Sequence, residues 1–209
     1  MSSRWIARQG ADAYVKARNR LGLRSRSAFK LMEIDDQHRF LKEGPCVDLG
    51  AAPGGWAQVA LRRSKYVIMS DILEIEPLPD TKFILGDFLC PDVRAAILKE
   101  ANRKGCKSVI CDMAPNCCGD TTADHDRQIR LADHALQLAK EILRPGEGTV
   151  LLKVFTGAQD KALEMDMRKH FKEFKRVKPK SCRKNSREIF FLAKSLREVS
   201  NKQLLDPEE

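Results

Sequence analysis

Apolar and polar positions form blocks along the chain, and the period of the apolar residues differs from block to block. Seven short runs rich in β-branched and other apolar residues are bounded by polar or turn residues, which predicts strands. They cover residues 45–49, 66–70, 82–85, 108–112, 149–154, 174–177 and 188–193. Stretches with helical character lie at 27–37, 55–63, 92–104, 123–143 and 161–171. The order predicts an α/β fold, in which a mostly parallel sheet carries helices on both faces.

The length and composition suit one domain. The chain has 209 residues, of which 43% are hydrophobic, and this is enough to fill one core. We expect a single domain over residues 1–196 that begins with a basic segment, followed by a polar tail over 197–209. No apolar run approaches the ~20 residues that cross a bilayer, so no membrane attachment is expected. The start of the chain lacks the pattern of a secretory signal.

Positive charge is clustered rather than scattered. The net charge is +9, and residues 1–30 contain eight Lys or Arg against one acid. Residues 168–187 contain ten against one. One such run is usually a solvated helical face, but two runs that flank a balanced middle favour a surface for a polyanion, above all nucleic acid.

The cysteines predict neither a disulfide framework nor a metal site. There are seven, they form no C-x-x-C pair, and an odd count in a chain without a secretory signal indicates reduced thiols. The adjacent Cys117 and Cys118 could bind metal or sense redox state. Because no companion ligands accompany them, we interpret them as ordinary loop thiols.

Acidic residues recur where the predicted strands end. Asp48, Asp71, Asp87 and Asp112 stand at or near the ends of the first four strands. The carboxyl ends of parallel strands meet at one edge of a sheet, where ligands of such folds bind. A single acid there commonly caps the next helix, but four in succession predict one polar ligand that spans the strand ends.

The first strand runs into a turn of small residues, VDLGAAPGGW at 47–56. Such a turn lets a ligand approach the backbone closely. The dinucleotide fingerprint G-x-G-x-x-G fails, because Ala52 stands at its second glycine, and no Walker Gly-Lys-Ser/Thr follows. Neighbouring carboxylates disfavour phosphate, so we expect a neutral or cationic ligand. A tight turn without a ligand is the alternative.

S-adenosylmethionine meets these requirements, because it joins a nucleoside to a cationic sulfonium and an amino-acid group. We expect Asp48 near the cationic end, residues 50–55 against the amino-acid portion and Asp71 on the ribose hydroxyls. Asp87 is expected to accept from the adenine amine, with Phe88 against the ring. The predicted donor-binding residues are Asp48, Gly50, Ala51, Ala52, Pro53, Gly54, Gly55, Trp56, Asp71, Ile72, Asp87, Phe88 and Asp112.

Several short motifs occur together in a specific order: SSRW, RSRSAFKL, DLGAAPGGW, GDF, CDMAP, LLKVF and SREIFF. Over about residues 2–194 they resemble the RrmJ/FtsJ family of ribose 2′-O-methyltransferases. The resemblance implies a Rossmann-like sheet of seven strands, the last antiparallel, with S-adenosylmethionine as methyl donor. It also implies a catalytic tetrad of Lys30, Asp112, Lys153 and Glu188.

The chemistry of these four residue types agrees with that implication. Methylation of a ribose hydroxyl requires that a poor nucleophile be positioned and deprotonated. We interpret Lys153 as the general base, which lysine can be only when neutral, with Asp112 and Lys30 as its partners in alignment. Glu188 is interpreted as an orienting or substrate-contacting group. A lysine inside the apolar run TVLLKVF would otherwise be buried unpaired, whereas Lys30 and Glu188 could each be surface residues.

The substrate prediction combines this chemistry with the charge. RNA carries an internal 2′-hydroxyl, so an alcohol acceptor between basic segments points to RNA. The first residues resemble the branch that methylates uridine in large-subunit ribosomal RNA; we expect that RNA, in a large subunit or its precursor, as the partner of a monomeric enzyme. A tRNA 2′-O-methyltransferase and a catalytically silent RNA-binding assembly factor are the alternatives. Predicted RNA contacts are Arg24, Arg26, Lys178, Lys180 and Arg183.

Two segments depart from the pattern of the family. NCCGD follows CDMAP where a Met-Ser-Gly type of loop is common, and a short acidic segment, EIEPLPDT, joins the second and third strands. The first bears on the acceptor pocket and the second on ribose recognition around Asp71. For the compartment, the cysteine-rich composition and SCRKNSREIFF favour mitochondria over a bacterial cytoplasm.

Overall fold

The computed structural model of the chain describes residues 13–115, 118–183 and 185–198. The strands are β1 Cys46–Leu49, β2 Val67–Asp71, β3 Thr81–Leu85, β4 Ser108–Cys111, β5 Thr149–Phe155, β6 Phe171–Val177 and β7 Glu188–Leu196. They form one sheet in the order β3-β2-β1-β4-β5-β7-β6. The pairs among β1 to β5 are parallel, and β7 is antiparallel to both β5 and β6. This confirms the expected Rossmann-like, mostly parallel sheet of seven strands.

Six helices accompany the sheet in the described ranges. They are α1 Ala13–Arg20, α2 Ala28–His38, α3 Gly55–Ala60, α4 Pro91–Lys104, α5 Thr121–Ile142 and α6 Asp160–His170. The apolar residues of α2 and α3 pack on one face of the sheet, and those of α4, α5 and α6 pack on the other. None of these helices has the length and apolar character that a membrane span requires.

Alternation along the central strands decides which side chains face which helices. Leu151 packs in the core with α2 and α3, whereas Leu152 packs in the core with α5. Successive side chains of a strand point to opposite faces. Lys153 therefore lies on the α2 side, and by the same reasoning from Val47 so does Asp48. Because β1, β4 and most of β5 are buried on both faces, these polar side chains lie within an apolar surrounding.

The strand order reverses at β1, which pairs with β2 on one side and with β4 on the other. The connections that follow β1 and β4 therefore leave the sheet in opposite directions. A crevice forms at such a switch point, outside the carboxyl ends of the strands. The turn at 47–56 and the four predicted acids lie along this edge.

Three of the differences between the structure and the predicted elements follow from packing. Helix α1 was not predicted, because AYVKARNR has little apolar periodicity; a tertiary contact supports it, since the Tyr14 and Phe29 rings lie 5.2 Å apart. Strand β6 begins at Phe171, directly after α6, because that side chain is 1% exposed and belongs to the core. Strand β7 continues to Leu196, also buried, instead of ending at Ala193.

Candidate active site

A cavity of about 440 Å³ lies at the switch point, across the ends of β1 to β4. Seven of the predicted donor-binding residues line it: Gly50, Ala52, Asp71, Ile72, Asp87, Phe88 and Asp112. Seven further residues complete the wall: Ser70, Leu73, Gly86, Met113, Ala114, Pro115 and Leu131. Of these, Met113 to Pro115 belong to the CDMAP motif, and Gly86 precedes Asp87 in GDF. Their membership of these motifs is the sequence feature that could have identified them as cavity residues.

The small residues of the turn are required by its geometry. Gly50 has a φ of +74°, and a Cβ at this position would lie 2.2 Å from Met113 Cγ. The Gly50 amide donates to Ser70 O at 2.9 Å, and the Ala52 amide donates to Asp71 Oδ2 at 2.8 Å. The turn is thus tied to the end of β2, and Asp71 serves the backbone as well as facing the cavity.

Arg24 braces the same turn from outside. Its guanidinium donates to Glu76 O at 2.6 Å, to Pro77 O at 3.0 Å and to Pro53 O at 3.4 Å. Gly54 has a φ of +101°, and a Cβ there would lie 2.9 Å from Arg24 Nη1. Arg24 therefore joins the turn to the acidic segment between β2 and β3, a role that sequence reasoning missed. Its contact with RNA stays a prediction.

Asp48 is a buried carboxyl in β1, two residues before Gly50, and it is 0% exposed. Burial raises its pKa well above the usual value, and the Asp112 and Asp71 carboxylates raise it further. Within the described residues neither carboxylate oxygen has a hydrogen bond of good geometry, although the Ala57 amide offsets part of the pKa shift. Such a group is suited to a cationic partner.

The other predicted donor residues do not line the cavity. Ala51 and Trp56 are each 3% exposed and belong to the core with α2 and α3. The Trp56 indole donates to Ser27 O at 3.0 Å. Gly55 lies against Ser25, since a Cβ there would be 2.0 Å from its hydroxyl. For these residues, and for Asp48, Pro53 and Gly54, donor contact stays a prediction.

Lys153 and Asp112 form a buried pair at the edge of the cavity. Lys153 Nζ lies 3.0 Å from Asp112 Oδ1 and also donates to the Asp112 carbonyl. The two side chains are 8% and 15% exposed. The lysine inside the apolar strand is thus paired, and because Asp112 lines the cavity, the Lys153 amine is adjacent to it.

Lys30 and Glu188 form a second pair, between α2 and the start of β7. Lys30 Nζ donates to Glu188 Oε2 at 2.7 Å, and both side chains are nearly buried. Burial raises the Glu188 pKa, but the charge and hydrogen bond of Lys30, a hydrogen bond with Cys182 and the charge of Lys153 outweigh it, so the pKa lies below its usual value. Because the charges of both lysines act on Glu188, the two pairs interact, and the four predicted tetrad residues form one electrostatic cluster.

The register of β5 and β7 explains how the two pairs meet. Lys153 is opposite Phe190, and Phe155 is opposite Glu188. Opposite residues share a face, as do residues two apart, so Lys153 and Glu188 are diagonal neighbours on the α2 face. The structure therefore brings together Lys30 of α2, Asp112 directly after β4, Lys153 of β5 and Glu188 of β7.

A smaller cavity of about 210 Å³ opens beside the second pair. Its lining is Arg26, Ser27, Lys30, Arg183, Ser186 and Glu188. Two predicted RNA contacts, Arg26 and Arg183, thus lie next to the tetrad. Lys178 donates to Ser186 O at 2.9 Å and Lys180 is exposed, but neither lines this cavity.

The thiols that the structure describes show no metal-binding arrangement. Cys117 lies outside the described residues. The Cys118 amide donates to Asp124 Oδ1 at 2.8 Å, and its thiol lies 3.4 Å from the same oxygen. In the ranges that the structure describes, no group of three or more His, Cys, Asp or Glu residues is arranged to hold a metal ion.

The sheet order, with an antiparallel β7 between β5 and β6 and a cavity at the switch point, defines the class of Rossmann-like methyltransferases. The chain belongs to the FtsJ-like methyltransferase family, whose model matches residues 23–196. The resemblance inferred from the motifs is thus confirmed.

Individual relatives agree with this membership. The chain is 42% identical over 198 residues to ribosomal RNA large subunit methyltransferase E of Granulibacter bethesdensis, covering 94% of this chain and 85% of that one. It is 43% identical over 201 residues to the protein of the same name from Pseudomonas paraeruginosa, covering 94% and 96%. A solved ribosomal RNA methyltransferase of Plasmodium falciparum superposes with a TM-score of 0.73 at 28% identity, covering 83% and 98%. The two curated relatives are bacterial, so the expected mitochondrial location gains no support and stays a prediction.

Proposed function

We propose that this methyltransferase uses S-adenosylmethionine to methylate the 2′-hydroxyl of a uridine ribose in large-subunit ribosomal RNA. The observation that carries the proposal is the cluster of Lys30, Asp112, Lys153 and Glu188 between an acidic cavity and a basic one. The names of the bacterial relatives support ribosomal RNA as the acceptor.

The larger cavity fits the donor. Its wall contains the carboxylates Asp71, Asp87 and Asp112, and the buried Asp48 lies nearby without a good partner. Asp71 and Asp87 would hold the nucleoside by its polar groups, and Phe88 would pack against the base. Gly50 lets the turn lie against Met113, which a Cβ at this position would prevent. S-adenosylmethionine supplies a methyl group activated by a positive sulfonium.

The tetrad residues would position the acceptor and take its proton. In its neutral form Lys153 accepts the hydroxyl proton at Nζ, while Asp112 holds that nitrogen at the cavity edge. Lys30 fixes Glu188, and both orient the ribose from the basic side. Lys153 then releases the proton to solvent. Positioning of this kind and proton removal are the two contributions a poor nucleophile needs.

RNA would enter over the smaller cavity. Arg26 and Arg183 flank it, and the basic segment 168–187 continues beyond it. Cationic side chains there neutralise phosphates, so RNA binding should weaken steeply with salt. Lys178 and Lys180 are further predicted contacts on the same segment.

The test is transfer of a tritiated methyl group to large ribosomal subunits, free ribosomal RNA and tRNA. The wild type is compared with Lys153→Ala and Lys153→Arg; the arginine retains a cation for Asp112 but cannot lose its proton. We expect label in ribosomal RNA, recovered as 2′-O-methyluridine, and loss of single-turnover transfer in both variants. Near-normal transfer by Lys153→Ala would exclude the proposed base, and label confined to tRNA would move the protein to the tRNA branch.

Donor binding is tested separately by calorimetry with the wild type and Asp71→Asn. The amide oxygen of Asn can still accept from the Ala52 amide, so this contact with the turn is kept, while the acceptor for the Leu73 amide and the carboxylate for the ribose are lost. We expect micromolar-range binding by the wild type and weaker binding by the variant. A well-folded wild type that binds no donor would indicate the silent assembly factor instead.

A further inference from the structure

Gln128 is a fully buried amide on the side of the sheet opposite the tetrad. It lies on α5 at 0% exposure. A buried side-chain amide is costly unless it is hydrogen-bonded, and within the described residues Gln128 bonds through its nitrogen and not through Oε1. The Gln128 side-chain nitrogen, Nε2, donates to Lys153 O at 2.8 Å and to Met113 O at 3.2 Å. One side chain thus bridges the residue after Asp112 and the backbone of Lys153.

The position of this bridge follows from the end of the β4–β5 ladder. The last pair in that ladder is Cys111 with Leu152. On the other side of β5, the Thr156 amide donates to Arg187 O, and hydrogen-bonded pairs alternate along an antiparallel ladder. Lys153 therefore occupies a position whose carbonyl points away from β7 and towards β4. Gln128 supplies a donor to that carbonyl just where the β4–β5 pairing stops.

We propose that Gln128 is a positioning residue for methyl transfer, because its amide sets the separation of the β4 and β5 ends and thereby holds Lys153 against Asp112. Lys153 is held at two points, its carbonyl by Gln128 and its amine by Asp112. Gln128 itself touches neither tetrad side chain in the contacts described. The catalytic part of this inference rests on the proposed function; the positioning part does not.

The first measurement needs neither donor nor RNA. Gln128→Met keeps the length of the side chain but removes both donors, and Gln137→Met is the matched control, since Gln137 lies on the same helix and donates to Asp133 at 3.2 Å. Each protein is treated with an amine-reactive reagent, and labelling of Lys153 is followed by mass spectrometry. We expect Gln128→Met to increase Lys153 labelling several-fold relative to other lysines and Gln137→Met to leave it unchanged. Equal labelling in all three proteins would overturn the proposal.

The second measurement is single-turnover transfer at saturating donor and RNA. We expect Gln128→Met to reduce the rate on the order of 10- to 100-fold, because small misplacements of reacting groups have effects of that size. Donor and RNA affinities should stay within about twofold. If the single-turnover rate falls by no more than the donor and RNA affinities do, the role of Gln128 is merely structural and the proposal is overturned.

Two provisions keep these outcomes distinct. If Gln128→Met does not fold, Gln128→Asn replaces it, since the shorter amide cannot reach both carbonyls. If the wild type transfers no methyl group to any RNA, the proposed function fails; the labelling result then still decides whether Gln128 positions Lys153.

Discussion

Replacing Arg24 by alanine separates a structural brace from an RNA contact. The change removes three donors to the carbonyls of Pro53, Glu76 and Pro77. Hydrogen bonds from a charged donor contribute about 1.5–3 kcal/mol each. The bond to Pro53 is long at 3.4 Å, and carbonyls in a part-exposed site can turn to water. We therefore expect a loss of about 2 kcal/mol in the free energy of unfolding, well below the sum.

Arg24→Ala should also weaken binding of the donor, because Pro53 and Gly54 belong to the turn that Arg24 holds. We expect about a tenfold weaker affinity for S-adenosylmethionine, or about 1.4 kcal/mol. The assays are urea unfolding, donor calorimetry and the salt dependence of RNA binding. As a brace, Arg24 leaves the slope of log affinity against log salt unchanged in the variant. Arg183→Ala is the matched control, since a lost phosphate contact lowers that slope by about 0.7 without loss of stability. If Arg24→Ala lowers the salt slope without loss of stability, as expected for Arg183→Ala, the bracing role is wrong.

Three further predictions test other contacts. Asp48→Asn should be more stable than the wild type at neutral pH by about 1 kcal/mol. The reason is that the Asp48 pKa is raised, so the wild type loses stability as the pH rises above the ordinary value of 3.8. Urea unfolding measures this difference, and calorimetry should show weaker donor binding by the variant. Gly50→Ala should lose about 1–3 kcal/mol in thermal unfolding, because a Cβ there meets Met113 at 2.2 Å with a φ of +74°; an unchanged midpoint would contradict the geometry. Lys30→Ala should be less stable than the wild type at neutral pH, and this difference should vanish as the pH falls below 4.5. The reason is that the Glu188 pKa is lowered in the folded protein, so its pairing with Lys30 adds stability only while Glu188 is charged. A difference in stability that does not depend on pH would refute the ion pair.

The sequence predicted the elements that bury an apolar face and missed the one that does not. All seven strands were located to within a few residues. The signal was strongest for β1, β2, β4 and β5, because these buried strands read as continuous apolar runs. Helix α1 has no such signal, and its support from Tyr14 and Phe29 depends on packing between two helices. Element ends shifted where a buried side chain, such as Phe171, starts the next strand.

The site was predicted unevenly for a related reason. The contact of Lys30 with Glu188 joins residues 158 positions apart, so only the resemblance to a family proposed them as partners. Arg24 was grouped with RNA contacts because a sequence cannot distinguish an exposed cation from one that donates to backbone carbonyls. Gln128 drew no attention, since a glutamine in an amphipathic pattern is normally a solvated position.

The charge around Asp112 differs between its two sides, and this difference determines which ligand each side favours. On one side, Asp71 and Asp87 line an acidic cavity that favours a cation, with Asp48 buried nearby. On the other, Arg26 and Arg183 line a basic cavity that favours a polyanion. Under the proposed function, methyl transfer leaves the donor product without its positive charge, so the acidic side holds the product less strongly than the substrate. It follows that Asp48→Asn, which removes the deepest of these carboxylates, should weaken binding of S-adenosylmethionine more than binding of its demethylated product. Equal weakening of both in calorimetry would show that Asp48 acts through the shape of the turn rather than through charge.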